Sequence, residues 1–99
     1  MTQRLRFFDE AAEEIEEAAS WYGQRSDVAR AAFLSEIDRA LDAILDAPPR
    51  WPAYVDGTRR YVCQTFPYTV VYFVEGESVV VVAVAHEKRR PGYWRGRMR

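Results

Sequence analysis

His86, Lys88, Arg89, Arg90, Tyr93 and Trp94 crowd into one short stretch near the end of the chain, and Arg59 and Arg60 stand further back. Guanidinium groups present a planar fork of N–H donors that matches phosphate oxygens in pairs. Histidine is the side chain that exchanges protons near neutral pH. Aromatic rings stack on exposed bases, and a tyrosine hydroxyl can donate a proton. Lys88-Arg89-Arg90, followed by Arg95, Arg97 and Arg99, exceeds what solubility requires and suits an anion or an acidic partner. Plainer readings stand beside this one. A lone histidine where a strand leaves a sheet serves as a hydrogen-bonding end cap. The Pro91-Gly92 turn can carry Tyr93 and Trp94 back onto the core.

Something rigid must hold these groups, and two valine-rich runs supply it. Tyr68–Val74 and Val79–Ala85 have the β-branched and aromatic content of central strands. Glu75-Gly76-Glu77-Ser78 joins them as a hairpin connection, with Gly76 free to take positive φ. Arg59–Gln64 alternates as a third strand, one arginine to each face, and Phe66-Pro67 interrupts the chain before the hairpin. At the other end Gln3–Phe8 alternates Leu5 and Phe7 against Arg4 and Arg6, a short strand with one covered face.

Between these strands lie two helical patterns. The first spans Glu10–Tyr22 with Asp9 as N-cap and Gly23 at C′, and its stripe of Ala11, Ala12, Ile15, Ala18, Ala19 and Tyr22 predicts close packing. Its glutamates, Glu13 and Glu14 among them, read as a solvated face. Ser26 or Asp27 caps the second, Val28–Ala47, whose inner face is Phe33, Ile37, Ala40, Leu41 and Ile44; Pro48-Pro49 stops it. The short link makes the pair an antiparallel hairpin. Arg50–Gly57 is a turn-rich connector in which Trp51 and Tyr54 either roof the core edge or anchor a partner. The sum is an α+β domain, β-α-α-β-β-β, with a helical hairpin packed on a mainly antiparallel four-stranded sheet. The sheet's other face is expected to be partly open, a place for a partner.

Ninety-nine residues bound this to one domain, 1–99. No run approaches the roughly 18–20 apolar residues of a membrane span. The first residues lack the apolar core of a signal peptide, so a cytoplasmic protein is expected. Cys63 is the single cysteine, which leaves no disulfide framework and no cysteine metal site; no metal or cofactor is expected. Residues 1–57 hold 6 basic and 12 acidic side chains, a balance of −6, whereas residues 58–99 hold 8 and 3, a balance of +5. That segregation sets up a field although the total is near neutral.

The ordered set resembles the RelE/ParE superfamily of toxins from bacterial type II toxin–antitoxin modules. The residues that carry it are Ala12 and Ile15 leading to Trp21-Tyr22; Ala32-Phe33 through Leu41 and Ile44 to Pro49; Arg59-Arg60; Phe66-Pro67-Tyr68-x-Val70-Val71-Tyr72; Val79–Val84; and His86-x-x-Arg89-Arg90-Pro91-x-x-Trp94. The resemblance implies a growth-inhibiting protein neutralised by a cognate antitoxin, whose segment folds as it binds. The helical hairpin and exposed sheet edges are the implied docking surfaces. DNA contact would come only through the antitoxin.

The superfamily divides into ribosome-dependent mRNA endonucleases and inhibitors of DNA gyrase. Only the first branch is enzymatic. It needs a group to deprotonate a ribose 2′-hydroxyl, cations on the phosphate and an acid for the leaving oxygen. In a nuclease the catalytic set would be His86, Arg60, Arg90 and Tyr93; on either reading Arg59, Arg60, Lys88, Arg89, Arg90 and Trp94 would bind target or anion. The nuclease branch also carries a basic residue in the second strand and an arginine in the third. This chain has Val62 and Thr69 there. Losing one preorganised donor from such a site costs about 10²–10³ in rate. The reading therefore leans to gyrase inhibition, with ribosome-bound mRNA cleavage as the alternative and a noncatalytic RNA- or protein-binding module as a second.

Overall fold

Strands covered on both faces read as unbroken β-branched runs rather than alternating ones, and every residue from Val79 to Val84 is buried. A computed structural model describes residues 4–98 as β1 (Arg4–Phe7), α1 (Asp9–Gly23), α2 (Asp27–Asp46), β2 (Arg59–Val62), β3 (Tyr68–Glu75) and β4 (Ser78–His86). Short 3₁₀ turns occupy Pro48–Arg50, Val55–Gly57 and Arg95–Met98. The expected β-α-α-β-β-β order is present. The sheet runs β1-β4-β3-β2; β2–β3 and β3–β4 are antiparallel and β1 lies parallel to β4. Gly76, at φ 59, makes the tight β3–β4 turn.

Local details depart from the sequence reading. Phe8, not Asp9, is the N-cap of α1; it is extended and gives no side-chain cap, and Asp9 instead places its carboxylate in the first turn, where the helix dipole favours it. Gly23 is the last helical residue, and Gln24 follows in right-handed geometry, so no left-handed C′ is used. Ser26 rather than Asp27 caps α2, accepting the Ala29 N–H at 3.2 Å. The strand expected over Arg59–Gln64 ends at Val62, where the chain bends toward β3. Gln3 and Arg99 lie outside the described residues.

The helical hairpin packs on one face of the sheet. Ala11, Ala18 and Ala19 of α1 and Phe33, Ile37, Ala40, Leu41 and Ile44 of α2 meet Val70, Tyr72, Val79, Val81 and Val84. The small α1 side chains let that helix approach β4 closely. Tyr72 reaches through this layer to donate its hydroxyl to the Pro48 carbonyl. Trp51 proves to be a roof on the core edge, donating its indole N–H to the Ala43 carbonyl at 3.1 Å and meeting Tyr61 edge-on at 4.7 Å.

The other face is far less open than expected. Trp94 lies on it at 1 % exposure, against Val71, Val82 and Ala83, with Phe8, Tyr54, Val55, Phe73, Tyr93 and Met98 around the margin. Val82 and Ala83 share this face because β4 carries one extra residue there: Val71 pairs with Ala83 and Tyr72 with Val81, leaving Val82 as a bulge.

Candidate functional site

Strand alternation sorts the two arginines of β2. Arg59 and Tyr61 face the helices, and Arg59 donates to the Trp51 carbonyl at 2.7 Å. Arg60 and Val62 face the other way, into a shallow cleft of about 290 Å³ beside Trp94. Arg60 is exposed, with its guanidinium carbon 4.7 Å above the Tyr54 ring. Across the cleft stand His86, Arg89, Arg90 and Tyr93. Cations from β2 and from the tail thus converge although sequence separates them by almost thirty residues.

Between those cations the floor is uncharged. Val62 pairs directly with Thr69, and Thr69 with Ala85, so one row of the sheet presents a methyl-rich surface at the cleft. Val62 is 59 % exposed there. His86 closes β4: its Nδ1 accepts the Lys88 backbone N–H at 3.1 Å and its ring meets Tyr68 edge-on at 5.1 Å. Acceptance at Nδ1 leaves the proton of the neutral ring on Nε2. The end-cap geometry is therefore present.

A half-buried carboxylate fixes the tail beside this cleft. Glu14 Oε1 accepts the Val84 N–H at 2.9 Å and one Arg97 nitrogen at 3.0 Å; Oε2 accepts the other Arg97 nitrogen at 2.9 Å and the Tyr93 hydroxyl. Arg97 also donates to the Val82 carbonyl at 3.1 Å. β1 ends opposite Val81, so beyond it the bulged β4 edge has no strand beside it; Glu14 and Arg97 occupy those edge groups instead. Burial pushes the Glu14 carboxyl up, but the hydrogen bonds from Arg97, Tyr93 and Val84 outweigh it and hold the group below its ordinary value. Tyr93 is driven up by burial and by donating to Glu14, and Arg97 is raised by its hydrogen bonds to the same carboxylate. A second tether joins Arg95 to Asp56 at 2.8 Å on the connector. Asp56 itself sits at φ 57.

The structure thus brings Arg60, His86, Arg89, Arg90 and Tyr93 around one cleft. Lys88 lines a neighbouring cleft of about 590 Å³ between α1 and β4, walled by Trp21, Tyr22, Tyr68 and Tyr93. Arg59 is turned away toward the helices. Trp94 forms the buried floor and leaves no ring face for a base, and the hydroxyl of Tyr93 is committed to Glu14. Sequence reasoning missed Glu14, which it placed on a solvated face, and Glu36, which takes the Thr65 and Phe66 N–H groups at 2.9 and 3.2 Å. Among the described residues no group of three or more His, Cys, Asp or Glu side chains is placed to hold a metal ion. No described helix is long and apolar enough to cross a membrane.

The fold that carries this site is a two-helix layer over one face of a four-stranded β1-β4-β3-β2 sheet. Two solved structures share it. The chromosomal ParDE toxin–antitoxin system from P. aeruginosa superposes with a TM-score of 0.74 at 16 % identity, covering 86 % of this chain and 96 % of that one. A double-arginine variant of the E. coli toxin RelE in the free state gives 0.59 at 17 % identity, covering 89 % and 86 %. Curated protein sequences give no match. Residues 5–91 match the family described as the ParE toxin of the type II toxin–antitoxin system parDE. The chain belongs to the ParE toxin family, and that membership implies a cognate ParD antitoxin as its partner. The branch toward which Val62 and Thr69 lean is the one matched.

Proposed function

We propose that the free protein inhibits DNA gyrase through the basic cleft, by binding rather than by catalysis. The observation that carries this reading is the Val62–Thr69 pair, which places apolar surface between Arg60 and the tail cations. A phosphoryl-transfer site needs preorganised cations at that point; a protein-binding surface is served by an apolar strip rimmed with arginine. His86 Nδ1 accepts the Lys88 N–H, so in this arrangement the neutral ring turns a donor, Nε2, rather than a base to the outside.

For neutralisation, the helical hairpin and the outer edge of β1 are the docking surfaces we favour for ParD. Trp21 and Val28, 51 % and 78 % exposed, are apolar anchors on the hairpin. The test is a pair of assays on purified protein, gyrase supercoiling and cleavage of mRNA on translating ribosomes. Inhibited supercoiling with intact mRNA is expected, and Arg60→Ala or Arg90→Ala should weaken the inhibition. Codon-positioned cuts lost in His86→Ala would overturn the reading in favour of the nuclease branch.

A further inference from the structure

We infer that Glu14, which lies outside the basic cleft, is a positioning residue for target recognition: through Tyr93 it holds the Arg89 guanidinium at the cleft mouth. The inference rests on the gyrase reading above for its functional consequence, and on geometry alone for its structural part.

Glu14 belongs to α1 and meets the tail seventy-nine positions later at the Tyr93 hydroxyl. That bond and the Arg97 pair fix the phenol ring at its polar end. The Arg89 guanidinium carbon lies 3.8 Å from the ring centroid, and that of Arg97 lies 5.1 Å away. Arg89 lines both clefts, so the ring decides where an exposed cation stands between them. Both Glu14 oxygens are already engaged, by Val84, Arg97 and Tyr93. Its carboxylate is not offered to a ligand and acts by what it holds. A long side chain already confined over a ring loses less freedom when a partner arrives.

The test is a double-mutant cycle between residues that do not touch, Glu14→Gln and Arg89→Ala, read as the concentration that half-inhibits gyrase. Ring-current shifts of the Arg89 side-chain protons by NMR are the second readout. Glu14→Gln should weaken inhibition by about threefold to tenfold, the freedom of one arginine side chain, and by less than about twofold once Arg89 is alanine. The Arg89 shifts should collapse toward those of a free side chain. An equal loss in both backgrounds, or unchanged Arg89 shifts in Glu14→Gln, would overturn the inference. If the wild-type protein leaves gyrase untouched, the gyrase reading fails alone and the shifts decide what Glu14 holds. Should Glu14→Gln fail to fold, Tyr93→Phe removes only the hydroxyl and carries the same two expectations.

Discussion

Glu14 and Glu36 occupy stripe positions that apolar residues fill one turn before and one turn after. Ala11 and Ala18 flank the first at i−3 and i+4, and Phe33 and Ala40 flank the second in the same way. Each faces the protein and satisfies backbone N–H groups that no strand pairs. Glu36→Ala strips the acceptor from Thr65 and Phe66, whose N–H groups lie where water can reach them, so urea unfolding should show a loss of about 0.5–1.5 kcal/mol, the net worth of a hydrogen bond. Glu36→Gln keeps one acceptor oxygen and should lose less. Burial raises both carboxyls, yet hydrogen bonds outweigh it and leave each below its ordinary value. Their contribution is therefore complete above the unfolded value of about 4.3 and is lost as pH falls through the folded values. A Glu14→Gln, Glu36→Gln protein should show a flatter acid limb than wild type in pH-dependent unfolding; an unchanged limb would refute this. Cys63 reports on the same region. Burial first and the Glu36 charge second push its thiol up to about 11, so a thiol reagent near neutral pH should react only on unfolding. The two glutamates were legible in principle, as acids interrupting an apolar stripe. Helical acids usually face water, and only the packed tail, for Glu14, and the bend before β3, for Glu36, show what they serve.

Elements show a sharper split between what the chain announces and what it conceals. The helices, the β3–β4 hairpin and the order of elements along the chain follow from periodicity and turn residues, which are local properties; the place of β1 beside β4 in the sheet does not. The covering of the second face follows only in part. The Pro91-Gly92 turn, with Gly92 at φ 79, announces the return of Tyr93 and Trp94 to the core, but the bulge at Val82 and the tethers from Glu14 and Asp56 are long-range pairings invisible to a sliding pattern. The unbroken Val79–Val84 run was the available signal: a strand with one face in water would have alternated. Because Trp94 fills that second core, Trp94→Ala should cost about 3–5 kcal/mol in chemical denaturation, a large share of a stability of about 5–15 kcal/mol. Trp94→Phe should retain most of it. Equal stability in Trp94→Ala would mean that the tail does not close the sheet.

Over the whole molecule the charge asymmetry matters more than its sum, and packing decides which cations remain for a partner. Arg97 is spent on Glu14, Arg95 on Asp56 and Arg59 on the Trp51 carbonyl. Among the described residues, Arg60, Lys88, Arg89 and Arg90 are exposed and stand in no ion pair. The acidic surface belongs to the helical hairpin, across the sheet from the cleft. An anionic partner is therefore drawn to one side of the molecule and repelled from the other, which acts on the rate of encounter more than on the lifetime of the complex. Raising salt from about 0.1 M to about 1 M shortens the Debye length from about 10 Å to about 3 Å, so association with gyrase, followed by stopped flow, should slow steeply while dissociation changes little. Arg89→Gln, Arg90→Gln should slow association at low salt and flatten its salt dependence. These side chains are exposed, so stability should stay within about 0.5 kcal/mol of wild type. A salt-insensitive association rate would leave the basic cleft without a role in steering, and the lowered affinity of any arginine variant would then have to come from contacts made after docking.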